Sequence, residues 1–173
     1  AAVQTEKLLD ADGKVISVTK TSAGKDGSYG TEELQYDEKG NVTSRSVFET
    51  AEDGAVTVTE ETLNRLEGGM VEHLITTTIY DGEDSHVRTE TLVRNETSGA
   101  SSAKGTVTDL DGNKLYDFEG SFTVDEKGIL KDIEMRTKPD GVRSVYIDTT
   151  APDGSEVNRF YESNADESVI RYG

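Results

Sequence analysis

Aspartate followed by glycine recurs throughout this chain and restricts its fold more than any other feature. The pair occurs at Asp12-Gly13, Asp26-Gly27, Asp53-Gly54, Asp81-Gly82, Asp111-Gly112, Asp140-Gly141 and Asp153-Gly154. Two further segments, Asp37–Gly40 and Asp125–Gly128, share the sequence DEKG. In a tight turn the aspartate carboxylate accepts hydrogen bonds from nearby backbone N–H groups, and glycine adopts the positive φ that hairpin loops need. The sequence therefore predicts a succession of β-hairpins.

The spacing of these turns and the pattern between them both indicate strands. Turn glycines follow one another at intervals of 13 to 16 residues in 40–82 and again in 112–154. Between turns, apolar and polar residues alternate, so that Tyr116, Phe118 and Phe122 fall on one side of a strand. A period of two is typical of a half-buried β-strand.

The pattern predicts thirteen strands joined by short turns. They are 2–9, 14–21, 29–36, 41–50, 55–63, 70–80, 86–94, 105–110, 114–124, 129–138, 142–150, 155–163 and 168–172. Short connections make sequence neighbours antiparallel. We therefore expect an all-β antiparallel meander of about 11–13 long strands. The sheet would be curled and barrel-like, or packed as a sandwich, with a single-layer sheet as the alternative. A short helix over 59–66, in which Glu61 and Arg65 would pair, is another reading of that segment.

One segment interrupts the rhythm of strands. Residues 95–104, NETSGASSAK, are small and polar throughout. We expect a single all-β domain over 1–173 with a loop or linker at 95–104. Its core must be thin, because Leu, Ile, Val and Phe supply only 37 of the 173 residues. That share lies just above the ~20% below which highly charged chains are usually disordered.

The charge of the chain disfavours two classes of partner. There are 35 acidic and 18 basic residues, and the formal net charge is −17. Nucleic acids and anionic membrane surfaces both require a basic protein surface. No apolar run approaches the ~20 residues of a membrane helix, so we do not expect a transmembrane protein. The chain has no cysteine, and its residue usage favours an extracellular or cell-surface bacterial protein, with the periplasm also possible.

Some of the acidic turns resemble metal-binding loops without completing the pattern. Asp10–Gly13 and Asp109–Gly112 resemble the start of a calcium loop. An EF-hand loop that starts at Asp109 requires glycine at its sixth position and glutamate at its twelfth. Those positions are occupied by Lys114 and Gly120, so the pattern fails. His86 follows an acidic turn and is expected to be a surface residue. We predict no metal site, no cofactor and no catalytic residue, and the sequence identifies no binding residue.

Tyr36–Thr43, with the sequence YDEKGNVT, resembles the YD-x-x-G core of YD (RHS-type) repeats. The resemblance implies strand–turn–strand units like those of bacterial surface and secreted shells. Asp10–Gly13, Asp109–Gly112 and Asp125–Gly128 keep D-x-x-G without the tyrosine, and Tyr80-Asp81 begins a copy that lacks the glycine. In strand rhythm and lack of cysteine the chain also resembles spirochaetal outer-surface lipoproteins, which are charged antiparallel meanders.

These observations favour a non-enzymatic bacterial surface or secreted β module for binding, scaffolding or adhesion. Its partner would be a protein or a glycan at the cell surface. One alternative is a lipocalin-like or periplasmic-type carrier, in which Tyr116, Phe118 and Phe122 would line a pocket for an apolar ligand. A second alternative is a carboxylate-based hydrolase or lyase, which would need a perturbed carboxyl group in a cleft.

Overall fold

The fold consists almost entirely of β-strands. The structure is a computed structural model and describes residues 2–166 and 168–173. The strands are β1 (Ala2–Leu9), β2 (Val15–Ala23), β3 (Tyr29–Tyr36), β4 (Val42–Thr50), β5 (Val56–Arg65), β6 (Met70–Tyr80), β7 (His86–Asn95), β8 (Ser101–Thr108), β9 (Lys114–Val124), β10 (Leu130–Thr137), β11 (Arg143–Thr150), β12 (Glu156–Ser163) and β13 (Val169–Tyr172). The two helical elements are 3₁₀ turns of three residues, Glu67–Gly69 and Gly82–Asp84.

All thirteen strands belong to one antiparallel sheet. They are hydrogen-bonded in sequence order from β1 to β13, and the sheet does not close into a barrel. The predicted all-β antiparallel meander is confirmed. Among the described residues the buried apolar side chains are Val18, Val47, Val71, Val107 and Phe118. So few side chains cannot fill a barrel interior or the space between two packed sheets.

The segment expected to be a loop is largely ordered secondary structure. β8 begins at Ser101, so only residues 96–100 connect β7 to β8. This connection is a hydrogen-bonded turn in which the Asn95 N–H donates to the Ala100 carbonyl at 2.9 Å. The Asn95 Oδ1 accepts the backbone N–H groups of Thr97 and Ser98, each at 2.9 Å. Small polar residues enter β8 because the long strand β9 offers them partners, with Ser101 opposite Phe122.

The alternative helix over 59–66 is not formed, because these residues belong to β5 up to Arg65. Glu61 pairs instead with Arg45 on β4, at 3.8 Å between carboxylate and guanidinium. Arg65 pairs with Glu96, at 3.0 Å. Cross-strand partners thus replace the helical pair that the spacing of Glu61 and Arg65 would allow.

The residues of the structure group into two compact units. Unit 1 consists of Ala1–Asn64 and Leu74–Arg88. Unit 2 consists of Arg65–His73 and Thr89–Gly173. Each unit is described by itself.

Eight hairpin turns share one hydrogen-bond pattern. In each, the first residue donates its N–H to the carbonyl of the fifth, and the fourth residue, glycine, donates to the carbonyl of the first. The turns are 10–14, 24–28, 37–41, 51–55, 109–113, 125–129, 138–142 and 151–155. Their glycines have φ between +76° and +91°, which is a type I turn followed by a glycine bulge. The turns predicted from Asp-Gly and DEKG are confirmed at these positions.

Aspartate stabilises these turns from one of two positions. At the first position, Asp37 accepts the N–H groups of Lys39 and Asn41 at 2.9 Å, and Asp10, Asp109 and Asp125 do the same in their turns. At the third position, Asp53 accepts the N–H of Ala55 at 3.0 Å, and Asp26, Asp140 and Asp153 act alike. The four D-x-x-G segments, including the one that resembles a YD repeat, are the first-position turns.

In unit 1, a row of side chains with alternating charge crosses one face of the sheet from β2 to β5. Lys20, Glu32, Arg45 and Glu61 come from β2, β3, β4 and β5 in turn. The Glu32 carboxylate lies 2.7 Å from the Arg45 guanidinium and 3.5 Å from the Lys20 ammonium. The hydrogen bond from Arg45 holds the pKa of Glu32 below its usual range, and the charge of Lys20 acts in the same direction. Such cross-strand pairs stabilise a sheet that has little apolar area to bury.

In unit 2, contacts between aromatic rings and arginine guanidinium groups connect neighbouring strands in a similar way. The Arg136 guanidinium lies over Tyr116 at 5.0 Å and over Tyr146 at 4.6 Å from the ring centroids. Tyr146 packs against Phe160 at 5.0 Å, and Arg171 lies over Phe160 at 4.7 Å. Cation–π contacts of this kind contribute about 0.5–1 kcal/mol each at exposed sites. The resulting ladder extends from β9 to β13.

Candidate functional site

A cleft of about 760 Å³ crosses β7 to β11 in unit 2. Two rows of side chains on one face of the sheet form most of its lining. Because directly opposite residues of antiparallel strands share a face, the register defines these rows. One row is Lys104, Glu119 and Met135, and the next is Thr106, Asp117, Thr137 and Arg143. Thr89 and Thr91 of β7 complete the lining on one side.

Asp117 is held in place at the centre of the cleft. Its Oδ1 accepts the Thr106 hydroxyl at 2.7 Å, and its Oδ2 accepts the Lys114 ammonium at 2.9 Å. These two hydrogen bonds, of which that from Lys114 has the larger effect, hold the pKa of Asp117 below its usual range. Both carboxylate oxygens of Asp117 are therefore engaged by neighbouring side chains.

Lys104 and Glu119 are different, because their charged groups are not engaged. They lie directly opposite each other on β8 and β9, and both are exposed. Within 2–166 and 168–173, neither side chain makes a hydrogen bond or an ion pair. Opposite charges in cross-strand positions commonly pair. Here the ammonium and the carboxylate both remain available to a ligand in the cleft.

The turns that resemble calcium loops use their carboxylates within the turn. Asp10 Oδ1 accepts the N–H groups of Asp12 and Lys14, each at 2.9 Å. Asp109 accepts the N–H of Asn113 at 2.8 Å, and its Oδ2 accepts the Asn113 side-chain amide at 2.8 Å. These bonds lower the pKa of Asp109, that from the Asn113 side chain most of all. In the described part of the chain, no three His, Asp or Glu side chains are placed to hold a metal ion together.

His86 lies at the start of β7, beside the acidic turn as the sequence indicates. Its Nδ1 is 2.7 Å from the backbone carbonyl of Asp84. The ring is half-buried and contacts this turn through the backbone. The carboxylates of Glu83 and Asp84 are exposed.

The three aromatic residues proposed to line a carrier pocket do share one face of β9, but they play different roles. Phe118 is only 2% exposed and is covered within the sheet. Tyr116 packs on Arg136. The 760 Å³ cleft is lined by Phe118 together with polar side chains, and neither Tyr116 nor Phe122 is part of its described lining.

One carboxyl group, that of Asp132, has a raised pKa, and it lies outside the lining of the 760 Å³ cleft. Asp132 on β10 faces Asp148 on β11 directly across the strand pair. Burial raises the pKa of Asp132, and the charges of Asp148 and Glu134 raise it further. Catalytic carboxyl groups are often perturbed in this way. Neither residue belongs to the lining of the 760 Å³ cleft.

The cleft residues could not be identified from the sequence. Lys104 lies in the segment expected to be a loop, although the structure places it in the middle of β8. The alternation in 114–124 does assign Asp117 and Glu119 to one face. The register of β8 against β9 is needed to bring Lys104 and Thr106 beside them.

Comparison with family models gives no match for this chain, and neither curated proteins nor solved structures match it. No helix in residues 2–166 and 168–173 is long and apolar enough to span a membrane.

Proposed function

We propose that this chain is a non-enzymatic binding module of a bacterial surface or secreted protein, and that the cleft over β7–β11 binds a neutral glycan. The observation that supports the proposal is the lining of the cleft. Threonine hydroxyls surround an ammonium group and a carboxylate, those of Lys104 and Glu119, which no other described side chain engages.

The ligand must be bound by side chains. The backbones of β8, β9 and β10 are paired with strands on both sides, so a peptide cannot be added there as an extra strand. A threonine hydroxyl both donates and accepts hydrogen bonds, as a sugar hydroxyl does. The methyl groups of these threonines and the Met135 side chain give the C–H faces of a sugar ring apolar surface to contact.

The cleft carries charges of both signs that nearly balance. Lys104 and Arg143 are positive, and Glu90, Asp117 and Glu119 are negative, which leaves a formal charge of −1. A strongly charged ligand gains little from such a surface, whereas a neutral ligand with many hydroxyls can bond to both Lys104 and Glu119. Neighbouring strands lie about 4.8 Å apart, so a chain of sugars lying across the strands meets a new pair of side chains at each step.

The two alternative functions have less support. A carrier of apolar ligands needs an enclosed apolar interior, whereas this sheet does not close and its largest buried ring, Phe118, is itself covered. A carboxylate hydrolase or lyase needs a carboxyl group of shifted pKa in a cleft. Asp132, whose pKa is raised, and its neighbour Asp148 both lie outside the lining of the 760 Å³ cleft.

Isothermal titration calorimetry with neutral hexasaccharides tests the proposal. We expect at least one of cellohexaose, maltohexaose and chitohexaose to bind. Thr106→Ala and Lys104→Ala should each weaken that binding by about tenfold, since a hydrogen bond to a charged group is worth about 1.5–3 kcal/mol. Lys131→Ala is the matched control, because Lys131 is on the same face of β10 but outside the cleft.

Two results would contradict the proposal. One is that none of the three sugars binds at millimolar concentration. The other is that a sugar binds and the Lys131 variant loses affinity as much as the Lys104 variant. If an extended peptide binds in the same titration and the sugars do not, the cleft is instead a site for a protein partner.

A further inference from the structure

A second cleft, of about 520 Å³, lies in unit 1. It is formed where β1, the start of β2 and the turn after β3 come together. Lys7, Lys14 and Lys39 are among its lining residues, and Val15, Val18 and Tyr36 form its apolar part. None of these residues belongs to the cleft in unit 2.

The gathering of three lysines is unusual in this chain. Acidic residues outnumber basic ones by 35 to 18, and the chain has ten lysines in all. Across the described residues, the ammonium groups of Lys7, Lys14 and Lys39 make no hydrogen bond and no ion pair. By contrast, Lys20 on the same unit is paired with Glu32.

The acidic side chains of this cleft, Asp37 and Glu38, offset the three lysine charges only in part. Asp37 turns its carboxylate toward its own hairpin, where Oδ1 accepts two backbone N–H groups and Oδ2 accepts the Asn41 amide at 3.0 Å. Glu38 is exposed and makes no ion pair among the described residues. Three lysines against two carboxylates leave the lining with a formal charge of +1, in a chain whose net charge is −17.

The lysines favour a ligand with an anionic group, and the apolar side of the cleft indicates the kind of molecule to which that group is attached. Val18 is 8% exposed, and the Tyr36 ring is half-buried beside it. A flat ring with one C–H face can lie on this surface while its carboxylate meets the lysines. A long polyanion is disfavoured, because the charge of the whole chain would repel it.

We propose that the unit 1 cleft binds an acidic sugar, with the carboxylate held by Lys7, Lys14 and Lys39 and the ring resting on Tyr36 and Val18. At 0.15 M ionic strength the Debye length is ~8 Å, so the local lysines dominate over distant carboxylates. Binding should therefore be measurable at physiological salt.

NMR and calorimetric titrations with digalacturonate at 0.15 M NaCl test this site. We expect amide shifts at Lys39 and Gly40. The triple variant K7Q/K14Q/K39Q should lose at least tenfold in affinity. The matched control is K25Q/K127Q/K131Q, which makes the same change in net charge at three exposed lysines outside the cleft. It should bind like the parent chain.

The remaining outcomes overturn the proposal. Equal loss in both triple variants would show a general charge effect. Binding of inorganic phosphate or a glutamate tetrapeptide as tight as that of digalacturonate would show an anion site without preference for a sugar. Absence of any shift at 10 mM digalacturonate would show no site. Neutral hexasaccharides report only on the unit 2 cleft, so the two proposals can fail separately.

Discussion

Gly105 is a residue whose missing side chain is required by the packing around it. A Cβ built at Gly105 would clash with the Thr89 carbonyl oxygen and would lie 2.8 Å from Phe118 Cζ. Glycine inside a strand often marks such a close approach. We expect Gly105→Ala to destabilise the fold by about 1–3 kcal/mol, as overpacking does, measured by urea unfolding. Gly30→Ala is the control, because its nearest neighbour, Ser22 Oγ at 3.1 Å, can rotate away. Equal unfolding midpoints for the two variants would contradict this account of Gly105.

Asp132 is expected to destabilise the fold once it ionises. Its pKa is raised in the folded state, chiefly by burial and then by Asp148. Folded protein therefore binds this proton more tightly than unfolded protein, and stability is lost as pH rises through the raised pKa. Asp132→Asn should stabilise the chain at pH 7 by about 0.2–1 kcal/mol, the size of a cross-strand pair effect.

Urea unfolding at pH 7 and pH 3 provides the measurement for Asp132. The gain should vanish at pH 3, where the native carboxyl group is already protonated. Asp148→Asn should give a smaller gain at pH 7, because it removes the repulsion but not the burial of the Asp132 charge. The double variant should add little to Asp132→Asn, since that substitution has already removed the repulsion. A gain that persists unchanged at pH 3 would assign the effect to something other than charge.

At the scale of elements, β8 decides whether residues 95–104 are a loop. Lys104 lies within β8, directly opposite Glu119 of β9 in the strand register. Lys127 lies instead at the third position of the turn 125–129. Proteases cut exposed turns more readily than paired strands. We expect brief trypsin treatment, read by mass spectrometry, to cut after Lys127 and Lys39 well before Lys104. An early product ending at Lys104 would restore the loop interpretation.

Strand positions follow from the sequence because turn chemistry is local. A carboxylate, a glycine and two or three backbone groups make a complete hairpin loop, as in 37–41, and all of them are adjacent in sequence. The sequence does not predict the start of β8, because Ser101–Lys104 show no alternation of apolar and polar residues. These residues form a strand by pairing with β9. The cleft in unit 2 and the stacking of Arg136 between two tyrosines depend on register, which single strands do not reveal.

For the whole molecule, the dominant electrostatic property is its charge of −17. Like charges brought together by folding repel, and salt screens that repulsion. The Debye length falls from ~30 Å at 0.01 M to ~8 Å at 0.15 M ionic strength. We expect the melting temperature to rise smoothly by several degrees over this range, without a saturating midpoint.

Calcium distinguishes screening from specific binding. At equal ionic strength, millimolar calcium should add little to the melting temperature, because the carboxylates of Asp10 and Asp109 are engaged within their turns. A saturable rise specific to calcium and abolished by EDTA would instead make ligands of Asp10 and Asp12, or of Asp109 and Asp111.

The order of the strands in the sheet has a consequence for how the chain folds. Folding rates of small domains fall as the sequence separation of contacting residues grows, which makes most all-β proteins slow. Here every strand bonds only to the strands before and after it in sequence. Each hairpin can form on the microsecond timescale of isolated hairpins. During synthesis, each strand after β1 leaves the ribosome when its preceding partner is already present, so the sheet can grow one strand at a time.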